Sequence, residues 1–104
     1  MKVNLAQLQR VWLELLAAAW TERNQSRLDG ALTPPVFRIG EGTRTLGSYE
    51  PHTRVLSISQ EHILESNWDE VLETLIHEMA HQVIDELWNL PHAAPHGPEF
   101  KRAL

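Results

Sequence analysis

The sequence predicts an α+β domain with helices at its ends and a small sheet between them. Three observations point there. Residues 4 to about 22 carry apolar side chains at three- and four-residue spacing, the mark of an amphipathic helix. Residues 36–59 hold three short runs rich in β-formers, "VFRI", "TLGSY" and "RVLSIS", separated by turn residues. Residues 68–88 return to helical spacing over several turns.

In the first helix, Asn4 followed by Gln7 makes a capping box. Leu5, Leu8, Trp12, Leu15, Leu16 and Ala19 form one stripe, expected to pack into the core together with Trp20. "NQSRLDGALTPP" then reads as loop: Asp29-Gly30 is a turn signal, and Pro34-Pro35 cannot continue a helix. The three β-runs predict a mainly antiparallel sheet. "GEGTR" is expected to close its first hairpin and "EPHT" its second. The third run is expected to be an edge, open to an extended peptide. In the second long helix Asn67 and Glu70 make another capping box, and Asp69 and Glu70 suit its positive end. Leu72, Leu75, Ile76, Met79, Val83 and Leu87 form its expected buried stripe. "NLPHAAPHGP" reads as a proline-punctuated loop, and "PEFKRAL" as the first turns of a third helix with Pro98 near its start.

The chain has 104 residues, 42% of them hydrophobic, which suits one domain spanning 1–104 with a modest core. It contains no cysteine, so disulfides and thiolate metal sites are excluded. Asn4, Gln7, Gln9, Arg10 and Glu14 interrupt the N-terminal apolar run, which argues against a secretion signal. The expectation is a cytoplasmic protein with no membrane partner. A formal net charge of -5 argues against a general polyanion-binding surface, leaving room only for a local basic patch. Arg38, Arg44 and Arg54, on or near the strands, are the candidates for one.

"HEMAH", residues 77–81, holds the chemistry. Four residues turn a helix through roughly 400°, so His77 and His81 point the same way one turn apart and can bind one ion. Glu78 flanks that face and can reach a water on the ion without itself being a ligand, which is the physical content of the His-Glu-x-x-His pattern. Catalytic zinc sites use three protein ligands and one open position. The short-spaced continuation with glycine and a third histidine further along the helix is excluded, because Ile84 and Leu87 stand at those positions. The remaining candidates for a third ligand are Asp85, His92, His96 and Glu99. Asp85 suits a supporting role, being too far along the axis. His96 is favoured because Gly97 relieves backbone crowding beside it, and Phe100 can anchor the third helix against the core. Imidazole donors and a hydrolytic pattern favour zinc. Tyr49 and His52 are candidate donors to a developing oxyanion. Trp88 could line the cleft, stack on a base, or simply pack under the loop.

"LETLIHEMAHQVIDELWNLPHAAPHGPEFKRAL" resembles the SprT-like metalloprotease domain, which includes the Spartan group. "TLGSY", "RVLSIS" and "GALTPPVFRI" are similar to the family's upstream part, so the likeness runs over roughly residues 5 to 104. The resemblance implies a zincin-like minimal metalloprotease core. It implies zinc held by His77, His81 and the His96 of "HGPEF", with Glu78 as general base, and a protein or peptide substrate. It also implies proteins associated with or crosslinked to DNA as substrates, and single-stranded DNA as a partner. The cysteine-rich zinc ribbon found after this domain in many members has no counterpart in a sequence without cysteine. Two rival functions share the same motif: a binding module stapled by a structural metal, and a DNA-binding accessory domain with a silent site. Glu78 argues against the first, since a purely structural site needs no carboxylate beside the open position, and the acidic balance argues against the second.

Overall fold

A computed structural model describes residues 3–42 and 44–88. The "NLPHAAPHGP" loop, the "PEFKRAL" helix and the candidates His92, His96 and Glu99 lie outside the described residues. The order is α1 (Leu5–Leu28), β1 (Val36–Gly40), β2 (Gly47–Glu50), β3 (Val55–Ser59), α2 (Gln60–Glu65) and α3 (Trp68–Val83), which runs on through a wider π-turn at Ile84–Trp88.

The Asn4 capping box is present: Asn4 Oδ1 accepts from Gln7 N–H at 2.8 Å, and Gln7 Oε1 from Asn4 N–H at 2.9 Å. The helix outruns its expected end by nearly two turns, so "NQSRL" is helical rather than loop. Asn24 explains this. Its buried side chain accepts from Leu32 N–H at 3.0 Å and donates to Leu32 O at 3.1 Å, clamping the returning chain against the last turns. Termination falls on the expected turn, with Asp29 at φ 51° and Gly30 at φ 74°. The expected stripe is displaced as well. Leu16 and Trp20 are buried with Asn24, while Leu5, Leu8 and Leu15 are exposed. A stripe that wide offers two faces, and the sheet and α3 cover only one of them.

The sheet is mixed, not mainly antiparallel, with strand order β1-β3-β2. β1 pairs parallel with β3 (Val36↔Val55 to Gly40↔Ser59), and β2 pairs antiparallel with β3 (Gly47↔Ile58 to Glu50↔Val55). "EPHT" closes the β2–β3 hairpin as expected, with Arg54 N–H donating to Glu50 O at 2.7 Å. "GEGTR" closes no hairpin; it carries the chain from one edge of the sheet to the other. β3 is therefore the central strand, not an edge. The physical reason lies in burial: Leu56, Ser57, Ile58 and Ser59 are all buried, whereas β1 exposes Val36 and Arg38 and β2 exposes Ser48 and Glu50. Turn residues fix local reversals but not which strand lies in the middle.

Leu56 and Ile58 meet Leu16, Trp20, Leu32, Val71, Leu75, Met79, Ala80 and Val83 in one core between sheet and helices. The α3 stripe is close to that expected, except that Leu87 is 41% exposed. The π-turn, where Ile84 N–H is shared between Ala80 O and His81 O, rotates the residues beyond it. Trp88 packs against the core. No helix among the described residues is long and apolar enough to cross a membrane.

Candidate metal centre

α3 begins where the sequence predicts. Asn67 accepts from Glu70 N–H at 2.9 Å, and its amide donates to Glu70 Oε1 at 2.9 Å. From there the apolar stripe buries one side of the helix and turns His77 and His81 along another. Their ring centres lie 5.2 Å apart with planes inclined at 71°. Imidazoles bound to one tetrahedral ion at about 2.0–2.1 Å hold their ring centres roughly 5 Å apart, so this pair fits a shared zinc ion. Among the described residues no three His, Cys, Asp or Glu side chains group to hold a metal. The described chain thus brings together two of the three expected ligands, and His96 lies beyond it.

Glu78 sits between the two histidines in sequence and is 6% exposed. Burial alone pushes its carboxyl up to about 7, because the ionised form loses solvation. His77 and Glu78 line a cleft of about 440 Å³ with Glu73 and Thr74 of α3, and with Thr45, Leu46 and Gly47 from the approach to β2. Gly47 sets that approach. A Cβ there would meet Ser57 O and Thr74 Cγ2 at 3.0 Å each, so only glycine lets β2 lie this close to α3.

Several supporting residues surround the helix. Buried Gln82 joins three segments: its Oε1 accepts from Trp20 Nε1–H at 3.1 Å, and its Nε2 donates to Thr33 O and Glu86 Oε2, both at 2.8 Å. Burial pushes the Glu86 carboxyl up, but the Gln82 amide, the Thr33 N–H at 2.7 Å and the Arg54 guanidinium outweigh it, and the carboxyl lies below the ordinary range. Buried His62 joins α2 to α3, its Nδ1 2.9 Å from Ser66 Oγ and its Nε2 2.8 Å from Thr74 Oγ1. Thr74 Oγ1 also lies 3.2 Å from Glu70 O, within hydrogen-bond reach of its own helix. Neither His62 nor Gln82 stood out in the sequence. The partners that give them their roles, Thr74 for His62 and Trp20 and Thr33 for Gln82, lie 12 to 62 positions away.

Of the expected oxyanion donors, Tyr49 points its O–H at Asp85 Oδ2, 3.2 Å away. Burial first, and the Asp85 carboxylate second, raise the phenol to about 12, so it stays protonated. His52 lies exposed in the β2–β3 turn, away from the residues that line the cleft. The expected arginine patch divides. Arg54 is tied to Thr33 O at 3.0 Å and to Glu86 at 3.5 Å, while Arg38 and Arg44 lie on the other face of the sheet.

The described geometry is a histidine pair on one helix turn with a desolvated glutamate, His77 and Glu78 lining a cleft beside β2; the class, a metalloprotease-related domain, comes from the family match. The SprT-like family model matches residues 10–104, and the chain belongs to that family. Searches of curated proteins and of solved structures returned no match.

Proposed function

We propose that this chain is a zinc-dependent endopeptidase. The observation that carries the reading is the pairing of His77 and His81, ring centres 5.2 Å apart, with the buried Glu78 carboxyl beside His77 in one cleft. A purely structural metal site gains nothing from burying a carboxylate beside it, and burial of an acid costs stability. His77, His81 and His96 would hold the zinc. When bound, zinc supplies Lewis-acid polarisation of the scissile carbonyl and acidification of a water.

The remaining chemistry belongs to the chain. Glu78 takes the proton of the attacking water on its carboxylate and delivers it to the leaving amine nitrogen. Its desolvation matches its basicity to neutral pH better than an exposed glutamate could. β2 is an edge strand among the described residues, and its approach, Thr45 to Gly47, forms one wall of the cleft. A peptide extended along that edge brings its backbone past His77 and Glu78. Tyr49 holds Asp85, one turn beyond His81, and so steadies the π-turn.

The test is cleavage of an unfolded, labelled protein by the zinc-loaded chain, beside Glu78→Gln, with metal content measured in both. Zinc retained and cleavage lost in Glu78→Gln is the expected result; undiminished cleavage would sink the mechanism. His96→Ala should lose zinc and activity together. DNA-associated substrates and a single-stranded DNA partner are carried by the family alone, and repeating the assay with single-stranded DNA tests them.

A further inference from the structure

The face of the sheet turned away from the helices carries an unusual set of side chains. In-register neighbours on adjacent strands point to the same face. Leu56 and Ile58 point into the core, so Ser57 points away from it, and with it Arg38 of β1 and Ser48 of β2, its cross-strand partners. Solvent-facing strand positions usually carry β-branched or long side chains. Here Gly40, Ser48, Ser57 and Ser59 leave a hollow of about 190 Å³ instead. Arg38 Nε donates to Ser57 Oγ at 3.1 Å, which lays the guanidinium over β3, and Arg38 lines the hollow. Arg44 lines the same hollow from the loop above. Among the described residues neither arginine is in an ion pair. Glu41 shares the rim, one carboxylate against two guanidinium groups.

The hollow adjoins the cleft. Thr45 and Gly47 line both, so the approach to β2 is a wall with the His77 and Glu78 cleft on one side and the arginines on the other. A peptide added to the edge of β2 sends alternate side chains to the two faces of the sheet. One set meets the cleft; the other meets the hollow. We propose that the hollow is a specificity subsite for an acidic side chain of the bound peptide, its carboxylate held by the Arg38 and Arg44 guanidinium groups over the Ser48 and Ser57 hydroxyls. The inference rests on the peptidase reading and deepens it by naming a feature of the substrate. Arginine suits the task because its planar fork matches a carboxylate, and charge-assisted bonds of this kind are among the stronger ones.

The experiment uses labelled peptides that differ only in one Glu or Gln, placed at successive positions. Binding to zinc-loaded Glu78→Gln is read by fluorescence anisotropy at low salt, and cleavage is read separately with the unaltered chain. In one register the Glu peptide should bind about tenfold tighter than its Gln partner. Arg44→Gln, at an exposed position with no side-chain bond among the described residues, should remove most of that preference. Arg38→Gln should do the same. Equal binding of both peptides in every register, or a preference untouched by Arg44→Gln, overturns the proposal. Acidic preference in binding without cleavage supports the subsite and sinks the peptidase reading. Cleavage with no acidic preference does the reverse. A single-stranded oligonucleotide whose affinity falls in Arg44→Gln, beside peptides that show no acidic preference, would reassign the hollow to phosphate and overturn it too.

Discussion

Replacing Gln82 by leucine should be among the most damaging single changes outside the apolar core. The side chain is fully buried, and its amide makes three bonds that join α1, the Thr33 segment and the π-turn. Leucine fills similar space but makes none of them. Thr33 O keeps the Arg54 guanidinium at 3.0 Å, and Glu86 keeps Thr33 N–H and Arg54. The Trp20 Nε1–H loses its partner in a side chain that is 1% exposed. An orphaned buried donor costs about 1–3 kcal/mol, and the lost bond to the Glu86 carboxylate about 1.5–3 kcal/mol. Added apolar burial returns part of this, for a net loss of about 2–4 kcal/mol. Total stability for a domain of this kind is about 5–15 kcal/mol, so the loss is large. Urea unfolding followed by tryptophan fluorescence at neutral pH measures it. Pairing the change with Trp20→Phe tests the mechanism, because the double variant should cost clearly less than the sum of the singles. A loss below about 0.5 kcal/mol, or strict additivity with Trp20→Phe, would refute the assignment.

Glu86 should impose an acid limit on stability. Its folded carboxyl lies below the ordinary range, so its contribution is present above the unfolded pKa and is lost as pH falls through the folded one. Urea midpoints followed below pH 5 should fall less steeply in Glu86→Gln than in the unaltered chain. Glu78 acts in the opposite sense. With its carboxyl raised to about 7, stability of the metal-free fold is fully present below the ordinary carboxylate pKa and is lost as pH climbs through about 7. In chelator, Glu78→Gln should therefore gain about 1–3 kcal/mol at pH 8.5, discounted for solvent at the cleft mouth, and only a small part of that at pH 5. Gly47→Ala should lose about 1–3 kcal/mol, because the new methyl meets Ser57 O and Thr74 Cγ2 at 3.0 Å, and should reduce peptide cleavage more than zinc content. Removing zinc should lower the unfolding free energy by an amount that grows with the zinc concentration it is compared against, about 2.7 kcal/mol at a hundredfold excess over Kd.

The helices and the histidine pair were legible because their signals are local. Asn4, Asn67 and the apolar spacing of α3 act within one or two turns, and so does the His77–His81 relation. The strand order was not legible. "GEGTR" looks like a hairpin, yet the chain there passes to the far edge so that the strand with Leu56 and Ile58 can lie in the middle. The nearest hint was "VLSIS" itself. Its small serines between apolar residues allow burial on both faces, which suits a central strand better than an edge. The length of α1 was hidden for a similar reason: Asn24 reads as a helix breaker, and it is helical because Leu32 returns to meet it.

The buried carboxyl at the site and the polar ties behind it belong to one physical arrangement. Desolvating Glu78 favours its protonated form and opposes the folded state at alkaline pH. The helix that carries it must then be held by contacts elsewhere. Those contacts are found on both sides of the motif. His62 grips Thr74 one turn before His77, and Gln82 grips Trp20 and Thr33 directly after His81. Neither pair includes His77, Glu78 or His81, yet both limit how far the HEMAH turn can shift. Loosening either should disturb the His77–His81 spacing before it unfolds the domain. Zinc affinity in His62→Leu and Gln82→Leu is the sensitive measure of that, since ligands displaced by fractions of an ångström weaken a metal site held by so few side chains. Affinity unchanged in both variants would show that the α3 stripe alone fixes the motif.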